Sequence, residues 1–300
     1  MLPGMPSKLP PRPRIAIVGA GSLAGALAVA LHDAGYAIDE IVSREQAASL
    51  RRARRLARQV GASAATVARA RMQAEVVWFC VPDGAITGAA ESLADAVEWK
   101  GRVALHSSGA LTSDELALLR RRGAASASVH PLMTFVRGSR PSLVDVPFAL
   151  EGDTAAVRMA RRIVKKLGGR KYSIRKEDKA AYHAWGTFAS PLLTALLVTG
   201  EHVAAAAGVR RKAARQMMLA MIRQTLANYA ALEGAGAFSG PIIRGDIDTV
   251  KRHLRTLRSI PLAQEVYVSL ARAALAYLPG KNKRTLERTL KSSARKRARN

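Results

Sequence analysis

Residues 14–25 read Arg14-Ile15-Ala16-Ile17-Val18-Gly19-Ala20-Gly21-Ser22-Leu23-Ala24-Gly25, an apolar run that meets a glycine turn. A short apolar run closed by turn residues is the pattern of a buried strand. The turn has the chemistry of a phosphate-binding loop. Gly19 permits the tight turn, Gly21 leaves room for a pyrophosphate beside the backbone, and the small Ala24 lets the next helix pack close on the strand. The backbone of Ala20, Ser22 and Leu23 then borders the phosphates. A helix over residues 23–34 points its free N–H groups and positive end at them. Glycine spacing alone is weak, and the alternative is a purely structural strand-to-helix turn.

Working outward, a second strand over 37–43 and an arginine-rich helix over 45–59 complete a βαβ unit. Strands follow at 76–81, 102–106, 125–130, 147–151 and 171–174, interleaved with helices at 86–97, 113–122 and 154–167. This alternation predicts an α/β domain with a parallel, doubly wound sheet and right-handed crossovers. From residue 175 the pattern changes to helical periods over 176–207, 210–232, 246–257 and 262–278. Gly208, a glycine-rich loop over 234–240 and Pro261 punctuate them, so the second domain reads as all-α. The expected organisation is a disordered leader over 1–13, a dinucleotide-binding domain over 14–174, a helical domain over 175–280 and a basic tail over 281–300.

Composition bounds the rest. At 300 residues and 49% hydrophobic content, the chain exceeds what one core comfortably holds. The single Cys80 excludes a disulfide framework and a cysteine zinc site, and fits a reducing cytoplasm. The proline-rich leader has no apolar core of signal-peptide length, so a cytoplasmic protein is expected. Residues 180–200 carry no formal charge over a bilayer's length. They include Tyr182, His183, Thr187, Ser190, Pro191 and Thr194, which favour a buried helix of a soluble domain over a membrane span.

The net charge is +26. Residues 281–300 carry nine basic residues against the single Glu287, and Arg51, Arg52, Arg54, Arg55 and Arg58 crowd one helix. So few apolar residues predict a disordered tail. Loose phosphate contact with nucleic acid is one reading, and a solvated basic surface is the favoured one. No helix-turn-helix, zinc-ligand spacing or aromatic RNA-binding signature accompanies the charge.

At the end of the second strand, where NAD and NADP are told apart, stand Ser43 and Arg44. Asp39 and Glu40 fall at the strand's start and should point away from the ribose. A guanidinium at Arg44 contributes about 1.5–3 kcal/mol through a charge-assisted bond, roughly 10- to 150-fold in favour of NADP over NAD. A surface arginine is the alternative. The turn Val81-Pro82-Asp83 should border the same cofactor, with Asp83 equally suited to capping the next helix.

Two further strand ends deliver His106-Ser107-Ser108-Gly109 and His130-Pro131-Leu132 to the same rim. Two histidines beside a cofactor turn are candidates for proton transfer or for structural roles in equal measure, and they lack the partners of a metal site. Lys179 and His183 lie four residues apart on one helix face with Tyr182 beside them. The lysine can polarise or protonate a carbonyl and the histidine can move a proton; a solvated lysine beside a core histidine competes with that reading. Arg244 can grip an anionic substrate, and Asp246 can serve there or cap a helix.

Together these motifs resemble the family that pairs a Rossmann-like domain with a C-terminal helical domain of unknown function. It is similar to pyrroline-5-carboxylate reductase, ketopantoate reductase and the 6-phosphogluconate and 3-hydroxyisobutyrate dehydrogenases. The resemblance spans residues 14–278 and implies a Rossmann domain followed by an all-α domain of the 6-phosphogluconate dehydrogenase C-terminal type. It also implies an NADP-dependent oxidoreductase with its site between the domains and a homodimer built on the helices. Hydride would pass to or from a small carbonyl or imine substrate, an anionic one if Arg244 grips it, bordered by Lys179, His183, His106, Ser107, Ser108, His130, Arg244 and Asp246. In the related dehydrogenases a lysine and an asparagine on one helix act on the substrate. Lys179 resembles the first, but Pro191 follows Ser190 where the family pattern has the asparagine. The polar role then passes to His183 or Ser190, or the chain is a non-catalytic NADP-binding regulator.

Overall fold

Strand β1 (Ile15–Val18) is fully buried and is an interior strand, third from one edge, of an eight-stranded sheet. The coordinates are a computed structural model that describes residues 12–297. Residues 1–11 of the expected leader and residues 298–300 of the expected tail lie outside the described residues. From β1 the chain enters α1 (Ser22–Asp33), β2 (Ile38–Ser43), α2 (Ala47–Gln59) and β3 (Ser63–Thr66). It then forms β4 (Val76–Phe79), α3 (Ile86–Ala94), β5 (Val103–His106), α4 (Ala117–Arg121) and β6 (Ala125–Pro131). The sheet closes with β7 (Pro147–Gly152), α5 (Thr154–Lys166) and β8 (Arg170–Ser173).

The strand order is β3-β2-β1-β4-β5-β6-β7-β8. Side chains alternate across it with period two. Ile15, Ile17, Trp78 and Leu105 face α1, α2 and α5. Val18, Phe79 and Ala104 face α3 and α4. Between β1 and β4 the strand order reverses direction, which leaves a crevice beyond their carboxyl ends.

Two expectations about the sheet need correction. The strand β3, absent from the sequence reading, is a short edge of small residues (Ser63, Ala64, Ala65) held by its parallel pairing to β2. The sheet is also not parallel throughout, because β6 and β7 are antiparallel. A parallel pair needs a crossover, and no helix lies between Pro131 and Pro147 to supply one.

The chain divides into two compact units, residues 1–187 and 188–300, rather than at residue 174 as expected. The 3₁₀ turn Lys176–Asp178 and α6 (Lys179–Thr187) belong to the first unit. Lys176 Nζ bonds Asp114 at 2.6 Å, and Lys179 is 1% exposed.

The second unit opens with a π-helical turn, Phe188–Leu192, that contains Pro191. Proline lacks the N–H for a regular helical bond, and a widened turn accommodates it. There follow α7 (Leu193–Ala206), α8 (Arg211–Ala237), α9 (Pro241–Arg244), α10 (Ile247–Leu257), α11 (Ala263–Tyr277) and α12 (Lys283–Arg297). The helix α8 is broken at Glu233, close to where the sequence ends it.

Two readings of this half are overturned. Residues 180–200 are not a buried helix: only Lys179 in α6 and Glu201 in α7 are buried, while Trp185, Leu192 and Val198 are exposed. By length and composition alone, the helical stretch Lys176–Ala206 could cross a membrane. The basic tail is not disordered over its described part either. In α12, Leu286 and Leu290 lie four residues apart and enter the core formed with Val250, Leu254, Val268 and Leu275. That single apolar stripe outweighs the surrounding charge because the basic side chains stay in water.

Replacing Leu290 by alanine should therefore destabilise the protein by about 2–5 kcal/mol in urea unfolding followed by circular dichroism. Arg288→Ala, on the exposed face of the same helix, should move the midpoint little. Equal behaviour of the two variants would contradict the docked helix.

Candidate functional site

The crevice at the ends of β1, β2 and β4 holds a cavity of about 570 Å³, within the range of small-molecule sites. Gly19, Ala20, Gly21, Ser43, Arg44, Val81 and Pro82 line it. Gly19 has φ +116°, and a side chain there would collide with the Cys80 carbonyl. Its N–H bonds the Val42 carbonyl at 2.7 Å, which fixes the turn to β2. Around Gly21 the space is open, since an added Cβ would meet nothing within 4 Å. Gly21 also caps α1 without any side-chain bond, so the first N–H groups of that helix have no side-chain acceptor. A cradle a Cβ would enter, beside an uncapped helix N-terminus, fits a pyrophosphate.

Asp39 and Glu40 take no part in the cavity. Asp39 accepts from Gln73 N at 2.7 Å and pairs with Arg14. Glu40 accepts from Arg71 N and Met72 N at 3.1 and 3.2 Å. Both carboxylates are spent holding the segment that leads to β4, as their place at the start of β2 implies. Cys80 lines the cavity, but burial pushes its thiol up to about 12, so it is not a nucleophile.

A second cluster lies at the ends of β5 and β6. Lys179, at the start of α6, is enclosed: its Nζ donates to the Ser108 carbonyl at 3.0 Å and to Ser128 Oγ at 2.6 Å. Ser128 Oγ also donates to the Ser108 carbonyl, at 3.0 Å. Burial lowers the lysine to about 8, while the charges of Glu151 and Asp83 pull the other way. Ser108 Oγ donates to Asp83 at 2.8 Å and accepts from Leu111 N at 2.9 Å. No side-chain cap from Asp83 is found on the 3₁₀ turn Asp83–Ala85, so its carboxylate serves the neighbouring loop instead.

His106, expected among the catalytic residues, is fully buried and saturated. Its Nδ1 accepts from Ser108 N at 3.1 Å, which leaves Nε2 to donate to the Thr112 carbonyl at 2.9 Å. Burial lowers it to about 4 and keeps it neutral. It is a positioning residue that shapes the 107–112 loop. Ser107 turns the other way and accepts from Trp78 Nε1 at 2.9 Å.

His130 faces α6. Its Nδ1 lies 2.9 Å from the Tyr182 hydroxyl, and its ring meets His183 edge-on with centroids 6.1 Å apart. Burial, then the nearby charges of Lys179 and His183, lower His130 to about 4. Burial raises Tyr182 to about 12. Gly109 allows this packing: an added Cβ would sit 2.9 Å from His130 Nε2 and closer still to His183.

The first unit thus brings together Asp83, Ser108, His130, Lys179 and His183. Arg244 and Asp246 belong to the second unit. There Asp246 accepts from Thr249 N at 3.0 Å and caps α10, the plain alternative for that residue. The sequence reading gave no role to Ser128 or Glu151. Ser126 and Ser128 are both wholly buried, two residues apart in β6 and on the same face as His130; that polar pair on one strand face was the available signal. Glu151 accepts from Ser113 N at 2.9 Å and Ser113 Oγ at 2.6 Å, and nothing in its local pattern announces a distant partner. Among the described residues, no cluster suited to a metal ion occurs.

Comparison with known proteins divides the chain earlier, between residues 131 and 146. Residues 3–131 match the Rossmann-like domain family, and residues 146–274 match a domain of unknown function, DUF2520. No curated protein matches the chain. Among solved structures, a candidate NADP oxidoreductase from Bacteroides fragilis is 24% identical, covering 87% of this chain and 97% of its own, with a TM-score of 0.74. A Thermotoga maritima protein is 25% identical over 93% of this chain and 99% of its own, with a TM-score of 0.68. A reductive aminase from Aspergillus terreus, solved with NADPH and ethyl 5-oxohexanoate, is 16% identical over 92% and 98%, with a TM-score of 0.65. At such identities the first and third likenesses concern the fold alone. The chain thus joins an N-terminal Rossmann-like domain to a C-terminal DUF2520 domain.

Proposed function

We propose that the chain is an NADP-dependent oxidoreductase acting on a small carbonyl or imine compound. The observation that carries this reading is the cavity at the β1/β4 crevice, with a glycine cradle, an uncapped helix N-terminus and Arg44 in its wall. The B. fragilis and A. terreus structures support the choice of cofactor, since NADP stands in the description of one and NADPH is bound in the other. When bound, the cofactor would supply or accept the hydride. Gly19, Ala20, Gly21, Ser22 and Leu23 would hold its pyrophosphate, Val81 and Pro82 would flank it, and Ser43 and Arg44 would meet its adenosine ribose.

The protein's own part is proton handling and positioning. With its proton affinity lowered to about 8, Lys179 remains mostly charged at neutral pH and can give a proton to a reduced oxygen or nitrogen. His130, neutral above pH about 4, and His183 can orient the reacting group. Reduction should therefore fall as pH rises through about 8, where Lys179 loses its proton. Lys179→Met should remove that limb and lower turnover by roughly 100-fold or more, with NADPH affinity retained. Unchanged turnover in that variant would end the assignment.

A second reading, a cofactor-binding regulator without turnover, is favoured by one observation: Lys179 is only 1% exposed, with two acceptors already in place. Deuteride transfer from labelled NADPH separates the two. Label in any product across a panel of ketones, 2-oxo acids and cyclic imines supports the enzyme, and tight NADPH binding with no transfer supports the regulator.

We also propose that a second copy covers the apolar face of α7 and α8. Leu196, Val198, Met217, Met221 and Leu226 are exposed there, more apolar surface than a lone domain normally leaves to water. Sedimentation velocity should give a dimer, and Met221→Lys should shift it toward monomer. A monomeric wild-type protein at micromolar concentration would refute this.

A further inference from the structure

Five arginines crowd α2, but they do not share one environment. Arg54 lines a separate cavity together with Asp39, Glu40 and Glu45, where carboxylates balance it. Arg52 instead lines the cofactor cavity beside Arg44, Ser43 and Ser49, and no Asp or Glu is among the residues of that wall. One turn of helix separates Ser49 from Arg52, and Arg52 donates to Ser49 Oγ at 3.1 Å. The serine is 5% exposed and so holds the guanidinium from a fixed base. Neither Arg44 nor Arg52 forms an ion pair among the described residues. Two uncompensated cations in one cavity wall repel each other, and a doubly charged anion between them relieves that repulsion. The amino end of α2 adds to the same field, because its cap, Gln46, makes no side-chain bond there.

We infer that Arg52, steadied by Ser49, forms with Arg44 a two-guanidinium seat for a phosphate on the adenosine ribose, and so sets the preference for NADP over NAD. This rests on the cofactor reading above and adds to it a residue nine positions beyond the end of β2. The mechanism is charge-assisted hydrogen bonding to the phosphate, which NADH does not offer.

The test is calorimetric titration of the wild type, Arg52→Gln and Ser49→Ala with NADPH and with NADH. Arg52→Gln should weaken NADPH by roughly 10- to 150-fold and leave NADH within about twofold. Ser49→Ala should weaken NADPH less, in the same direction. Adenosine 2′,5′-bisphosphate should lose affinity in Arg52→Gln as NADPH does, while adenosine 5′-monophosphate should not. An equal loss for NADPH and NADH would make Arg52 merely structural, and an unchanged NADPH affinity would remove it from the site; either overturns the inference while the cofactor reading stands. A wild type that binds neither dinucleotide overturns the cofactor reading itself, and this inference with it.

Discussion

The ammonium of Lys179 is the constraint around which the first unit's polar machinery is arranged. A buried charge without partners costs several kcal/mol, so it must be met by oppositely polarised groups. Here the Ser108 carbonyl and the Ser128 hydroxyl meet it directly. One acceptor comes from the loop after β5, the other from within β6, and the lysine from α6. The three elements are thereby tied at one point. The supporting contacts follow the same logic: His106 shapes the loop that presents the Ser108 carbonyl. Lys176 and Arg120 both reach Asp114, which anchors the turn just before Lys179.

Charge is divided unevenly between the two faces of β2 and α2. On one side Asp39, Glu40 and Glu45 stand with Arg54, Arg69 and Arg71. On the other, Arg44 and Arg52 stand with serines alone. The division follows in part from strand geometry, since Asp39 and Glu40 sit at the start of β2 and bond backbone N–H groups of residues 71–73. The end of the strand is left cationic. The field at the cofactor cavity is thus set by where the acids are tied down as much as by where the arginines stand.

How much of this was legible depended on whether the determining contacts were local. The strand Ile15–Val18, the turn at Gly19 and Gly21, and the alternation of strands and helices are written in neighbouring residues, and they were readable. The antiparallel turn into β7 was not, because it depends on a missing crossover rather than on any residue pattern. Leu286 and Leu290 were visible as a four-residue spacing but were outweighed by the charges around them. His106 and His130 looked alike as strand-end histidines. Only the fold separates them, burying one with both nitrogens bonded and turning the other toward Tyr182 and His183. The exposure of residues 180–200 was likewise beyond reach, since an apolar helix reads the same whether its own domain or another surface covers it.

The turn after β4 joins the two sites of the first unit. Val81 and Pro82 line the cofactor cavity, and the next residue, Asp83, accepts the Ser108 hydroxyl. Ser108 in turn offers its carbonyl to Lys179. Three successive residues of one turn therefore touch the cavity and hold the loop that holds the lysine. Pro82 limits how that turn can flex, because its ring fixes one backbone angle. A ligand that pressed on Val81 or Pro82 would act on Asp83 through the chain itself and on Lys179 through two hydrogen bonds. The cavity and the buried ammonium are in this way joined by a short path of one turn and two hydrogen bonds.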